Sequence, residues 1–177
     1  MLRNIICFQL GWFACVLGAA NQQPWLGVLF SMCLLAWHIT ASKDQIGEVY
    51  LVLLAMLIGV LFDLVPISFG WISFESLAFW PSQIPPQWMI FLWGMFATTL
   101  NVSLNWLKNK PSVAIVLGAL AGPLAYWGGA SLGALKIVEF KAAMIYLSIG
   151  WAIAVPALLK IASLIAVYRD LYKGKER

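Results

Sequence analysis

Gly118-Ala-Leu-Ala-Gly122-Pro123-Leu-Ala-Tyr126 lies inside an apolar run, and its reading decides the fold. Gly118 and Gly122 are four residues apart, with Ala114 one turn before them and Tyr126 one turn after. Residues at that spacing share one face of a helix. The face is nearly bare of side chains, so a second helix can bring its backbone close to it inside a membrane. Pro123 lacks an amide hydrogen, frees one backbone carbonyl and favours a kink. The stretch therefore reads as a packing centre in a membrane bundle.

Composition agrees. The 177 residues are 63% hydrophobic and 10% charged, with a mean hydropathy of +0.89. A soluble domain is about half apolar and about a quarter charged, so the soluble classes are excluded. The length suits one bundle without a second domain. The formal net charge is +4, but Arg169, Lys173, Lys175 and Arg177 crowd into a tail behind a hydrophobic helix. Such a tail is a topology signal; no folded basic surface for nucleic acid exists. Cys7, Cys15 and Cys33 sit in apolar segments with no metal-ligand spacing, so buried free thiols and no metal site are expected.

The expected fold is all-α: a six-transmembrane-helix bundle over residues 1–168, followed by a basic cytoplasmic tail over 169–177. The helices are expected near 5–20, 25–40, 45–64, 88–107, 112–127 and 142–168, roughly the ~20 residues a bilayer needs or slightly fewer. The first has features of a cleaved signal peptide, but the rest of the chain is itself membranous, and a transmembrane helix is the preferred reading. Pro24 and Pro111 open the second and fifth helices, Pro66 closes the third, and Pro156 kinks the sixth. Between the third and fourth helices, Gly70, Trp71, Phe74, Glu75, Phe79, Trp80, Pro81, Pro85 and Pro86 make an aromatic, proline-punctuated segment too broken to span. Residues 72–79 there read either as an interfacial or re-entrant piece or as a loop anchored by its aromatic rings.

Basic residues orient the bundle. With both termini cytoplasmic, Arg3, Lys43, Lys108, Lys110, Arg169, Lys173, Lys175 and Arg177 lie inside, and only Lys136 and Lys141 outside, as the positive-inside rule requires. Lys160, near the inner end of the last helix, reaches the interface by snorkelling. Trp25, Trp71, Trp80, Trp88 and Trp127 then gather at the outer interface, and Trp37, Trp106, Tyr168 and Tyr172 at the inner one.

Ionisable groups within a membrane are functional candidates because they are costly to keep there. By position along their helices, His38, Asp44 and Glu48 fall near the inner end, as do Gln9, Asn101 and Asn105, while Asp63 falls near the outer end. The bundle centre is thus expected to hold no ionisable side chain, which disfavours an ion-coupled carrier. Asp44 with Glu48, and Asn101 with Asn105, are one turn apart. A cytoplasmic pocket of Gln9, His38, Asp44, Glu48, Asn101 and Asn105 could hold a ligand, bind a metal or run acid–base chemistry; the alternative is ordinary interfacial polarity. Asp63, Glu75 and Tyr126 form a second, outer candidate, the alternative being that Asp63 caps a helix or binds amides freed near Pro66. Ala55 and Gly59 give the third helix its own contact seam. GxSxG, HExxH, P-loop and GxGxxG signatures are missing, and a lone histidine excludes multi-histidine iron sites. No cofactor is indicated.

Several stretches together resemble a known family. They are Gly11-Trp12 with Val16-Leu17-Gly18-Ala19; Trp88, Leu92-Trp93, Thr99-Leu100, Ser103-Leu104 and Trp106-Leu107; and Gly122-Pro123-Leu124-Ala125-Tyr126 with Leu132-Gly133-Ala134. Asp44 and Asp63 also fit. The chain resembles, up to about residue 165, the bacterial inner-membrane family catalogued as domain of unknown function 2878. The resemblance implies a bacterial inner-membrane location and no established activity. Members are often encoded beside genes for cyclopropane-type fatty-acid modification and stress responses, which hints at lipid modification and names no catalytic residue.

Three functional expectations follow. The first is a non-catalytic membrane component that binds a lipid, a protein partner or a second copy of itself through its small-residue seams. The second is a lipid-modifying enzyme using His38, Asp44 and Glu48 or Asp63. A small transporter, which would have to dimerise, is a third.

Overall fold

The computed structural model describes residues 1–74 and 80–175. It is all-α apart from one two-residue strand pair. The helices are α1 (Leu2–Ala20), α2 (Pro24–Ala41), α3 (Gln45–Ser68), α4 (Gln87–Leu100), α5 (Pro111–Ser131) and α6 (Phe140–Lys175). A 3-10 turn, Asn105–Asn109, joins α4 to α5. Successive helices run up and down, so one end of the bundle, the terminal face, holds both termini. At the far face β1 (Ile72–Ser73) pairs antiparallel with β2 (Lys136–Ile137), tying together the loops that follow α3 and α5. Within the aromatic segment, Glu75 and the rest of residues 75–79 lie outside the described residues.

Among the described residues, five helices, α1, α2, α3, α5 and α6, are long and apolar enough to cross a membrane. This is a multi-pass membrane protein. α4 is different. It has 14 residues, about 21 Å at ~1.5 Å per residue, and ends at Leu100 where the sequence suggested a helix to about 107. The sequence after Met95 explains the stop. Thr98 Oγ1 donates to the Met95 carbonyl and Thr99 Oγ1 to the Phe96 carbonyl. The amides of Val102 and Leu104 then turn back onto the Thr99 carbonyl. Hydroxyls that bond the backbone compete with continued helix.

What α4 lacks in length it has in burial. Trp88, Met89, Trp93, Met95, Ala97 and Leu100 are all buried, and a helix apolar all round belongs in a core. It packs on α1, α2 and α3 and touches α6, while α5 packs on α6. The long helices form an incomplete ring around α4. Trp88 therefore faces inward, 3% exposed, and does not join the outer aromatic belt in which its position at the helix end had put it.

Prolines behave unequally. Pro24 and Pro111 stand at the first positions of α2 and α5, where the missing amide hydrogen costs nothing. Pro66 does not close α3, which continues to Ser68. The carbonyl that Pro66 frees is that of Phe62, and Tyr146 Oη on α6 donates to it at 2.8 Å. An outside donor thus replaces the lost amide and lets the helix run on.

Small residues set the close crossings. A Cβ built on Gly59 would run into the Trp93 ring, and one on Gly118 into the Trp151 carbonyl, while Gly122 faces the Trp151 ring. The Gly118/Gly122 face is thus filled by α6 of the same chain. A further seam, Gly27-x-x-x-Ser31 on α2, went unread although its spacing is the same. Ser31 Oγ lies 3.2 Å from Cys15 Sγ, and a Cβ on Gly27 would stand 2.5 Å from the Cys15 Cα. Backbone cannot yield as a side chain tip can. Gly27→Val is expected to destabilise the bundle by about 2–3 kcal/mol, as overpacking commonly does, read as a lower melting temperature in detergent micelles.

Candidate functional site

Three features stand out, two of them built on residues that the sequence marks. The first is a polar chain at the terminal face. Glu48, in the first turn of α3, is 7% exposed. Its Oε2 lies 3.1 Å from His38 Nε2 on α2, and its Oε1 accepts from Asn101 Nδ2 at 2.9 Å. Asn101 sits just past α4, and its Oδ1 accepts from Lys108 Nζ on the 3-10 turn at 2.7 Å. Burial pulls the Lys108 ammonium below the usual lysine range, and the charge of Glu48 works against that shift. Lys108, Asn101, Glu48 and His38 therefore form one hydrogen-bonded relay across four elements.

The relay borders a cavity of about 420 Å³ between α1, α2 and the ends of α3 and α4, which Arg3, Asn4, Lys43 and Asp44 also line. The Arg3 guanidinium lies 4.8 Å over the Trp37 ring. Asn4 Nδ2 donates to the Thr98 carbonyl at 3.1 Å, and its Oδ1 accepts from Ser103 Oγ at 2.7 Å. Asp44, one turn before Glu48, accepts from Arg169 Nε at 3.3 Å. A carboxylate beside an imidazole, with room for a small polar head group, is an arrangement that can bind or can transfer a proton.

Of the residues expected at this end, His38, Asp44, Glu48 and Asn101 border the cavity, and two do not. Gln9 is exposed on α1; it stands five residues from Asn4, about 140° round the helix at ~100° per residue. Asn105 is exposed at the start of the 3-10 turn, because α4 ends before it and the helical spacing from Asn101 is lost. Asn4, Ser103, Lys108 and Arg169 were missed. Asn4 gave no signal in an apolar run, and Lys108 and Arg169 had been read only as topology charges.

The second feature is deeper. Asp63 is 1% exposed. One carboxylate oxygen accepts from Trp93 Nε1 at 3.0 Å, and the other accepts the Tyr126 hydroxyl. An ionisable group is thus enclosed by neighbouring helices, five residues before the far end of α3. α3 runs past Pro66, so its end lies beyond Asp63 and no longer carries it to the surface. The donors come from α4 and α5, in place of the helix cap or free amides considered as its bland alternative. Trp93 stacks on Trp151 of α6, with ring centroids 4.5 Å apart and planes 10° apart.

The third feature was not legible. α1 and α5 approach each other towards the far face, where a Cβ on Gly128 would stand 3.6 Å from the Trp12 ring. Towards the terminal face they separate, leaving an apolar cleft of about 470 Å³. Ile5 and Phe8 form one wall, Ala121 and Ala125 the other, and Phe96 with Trp151 the floor. A smaller space of about 70 Å³, lined by Trp12, Trp88 and Tyr126, continues it towards the far face. At the mouth of the cleft, Lys110 Nζ lies 5.4 Å over the ring of Trp106.

These features belong to a multi-pass helical membrane protein with a buried central helix. Among the described residues, no group of three or more histidine, cysteine or acidic side chains is placed to hold a metal ion. The chain belongs to the family described as protein of unknown function (DUF2878), whose model matches residues 1–157. No curated protein and no solved structure matches it.

Proposed function

We propose that this protein is a lipid-binding component of the bacterial inner membrane that holds a hydrocarbon chain in the cleft between α1 and α5. The cleft carries the proposal. Its walls and floor are apolar, it opens sideways from a ring of membrane-crossing helices, and what surrounds such a ring is acyl chain. α4 is taken as a sixth, shortened crossing, because the helices on either side of it run the same way through the bundle. The terminal face is taken as cytoplasmic, since Arg3, Lys43, Lys108, Lys110 and Arg169 lie there against Lys136 and Lys141 at the other. The Gly118/Gly122 face offers little to a partner or second copy, being covered by α6.

A second reading rests on the relay of Lys108, Asn101, Glu48 and His38 beside its cavity. In that reading the protein modifies a lipid, with Glu48 and His38 exchanging protons with its head group. Whole-cell lipid mass spectrometry on a deletion strain separates the two, with complementation by wild type, Glu48→Gln, Asp63→Asn and Ala121→Phe at matched membrane levels. Lipid binding predicts that Ala121→Phe, which fills the cleft, fails to restore the profile while Glu48→Gln succeeds. The enzyme reading predicts the reverse, and an unchanged profile on deletion contradicts both.

A further inference from the structure

The cleft between α1 and α5 has two ends, and they differ. At the terminal face Met1 and Trp106 line its edge, and Lys110 Nζ stands over the Trp106 ring. Towards the far face the cleft passes into the space of about 70 Å³, which shares Phe8, Phe96 and Ala125 with it. That space ends on buried side chains. Trp88 is 3% exposed and Leu135 4%, and a Cβ on Gly129 would stand 3.3 Å from Leu135 Cδ2. The one hydroxyl in its lining, that of Tyr126, already donates to Asp63. An apolar space of this kind excludes water and accepts an apolar guest.

Cleft and end space together make a blind channel along two membrane-crossing helices, the direction in which an acyl chain also runs. One side is lined from Met1 to Val16 and the other from Leu117 to Gly129. At ~1.5 Å per residue these stretches are about 22 and 18 Å long. An extended chain advances ~1.2 Å per bond, as a peptide unit of three bonds spans at most ~3.6 Å. We infer that the channel measures its lipid, selecting an acyl chain of about 16 to 19 carbons. The end of that chain lies beside Gly129 and Leu135, which set the length, and the head-group phosphate lies near Lys110. A shorter chain leaves the end space empty and loses its packing. A longer one has to turn its end out of the channel or lift its phosphate from the mouth. This inference rests on the lipid-binding reading and makes it specific.

The test uses the full chain in detergent micelles with an equimolar mixture of lysophosphatidylglycerols, each of which carries a single saturated chain. Lauroyl, myristoyl, palmitoyl, stearoyl, arachidoyl and behenoyl forms compete, and native mass spectrometry reads which are retained. Wild type should retain palmitoyl and stearoyl forms over lauroyl and behenoyl by roughly five- to tenfold, about what one lost polar contact is worth. Gly129→Leu, which fills the end space, should move the preference to shorter chains. Leu135→Ala, which enlarges it, should move the preference to longer ones. Damage to the fold alone would weaken retention of every length together and would not shift the preference in opposite directions. Equal retention of all lengths by the wild type, or the same preferred length in both variants, overturns the inference and leaves the lipid-binding reading standing. If the wild type retains none of the six, both fall.

Discussion

Gly118→Leu is expected to separate α5 from α6 and destabilise the protein by about 3 kcal/mol or more, the upper part of the range for overpacking. The first added carbon already meets the Trp151 carbonyl, which belongs to helix backbone and cannot turn aside, and Val155 stands 3.0 Å away. In a bilayer there is little hydrophobic force to hold two helices together once close contact is lost. α5 touches its neighbours mainly through α6, the 3-10 turn and β2. Thermal unfolding in micelles should show a large loss of stability, with protease-sensitive loops on both sides of α5. Leu120→Phe, two residues away on an exposed face, should change little. A Gly118→Leu protein as stable as wild type would mean that α5 and α6 do not cross there.

Asp63→Leu should cost about as much for another reason. It strands two donors, the Tyr126 hydroxyl and the Trp93 indole hydrogen, and each unmet donor costs about 1–3 kcal/mol. Together they give about 3–5 kcal/mol, since membrane groups recover part of the loss by finding other partners. Asp63→Asn keeps an acceptor oxygen and should cost less, about 1–2 kcal/mol. A double-mutant cycle gives the sharper readout. If Tyr126 acts through Asp63, Tyr126→Phe should cost about 1 kcal/mol or more in the wild type and almost nothing beside Asp63→Leu. Strictly additive losses would mean that the two side chains do not meet.

How much of this was legible depended on whether a feature was local. Apolar runs and their prolines marked out the helices, and the four-residue spacing of Gly118 and Gly122 singled out a tightly packed face. Pro66 shows where local reading stops. Proline is a helix end only if nothing else binds the carbonyl it frees, and the donor, Tyr146, lies 84 residues beyond Phe62. α4 failed in the opposite direction, because Thr98 and Thr99 look harmless in an apolar run and yet turn the backbone. Gly27 and Ser31 carry the same spacing as the glycine seam, and that spacing alone does not name the helix that will fill it.

The candidate site divides in the same way. His38 and Glu48 stood near one end of neighbouring helices, so their meeting was foreseeable from helix lengths. That Asn101 and Lys108 extend the pair into a relay depended on α4 stopping early. Asp63 and Tyr126 were grouped by depth, but their depth itself depended on α3 passing Pro66. The cleft had no signature, because it arises from the divergence of α1 from α5, and divergence is a property of the whole ring.

Retention of lipid by the purified protein tests the central claim most directly. Native mass spectrometry should find one phospholipid-sized mass on the wild type, the same on Leu120→Phe, and none on Ala121→Phe combined with Ala125→Phe, which fills the cleft without touching a helix contact. A wild type that carries no lipid, or a filled variant that carries as much, would contradict the account.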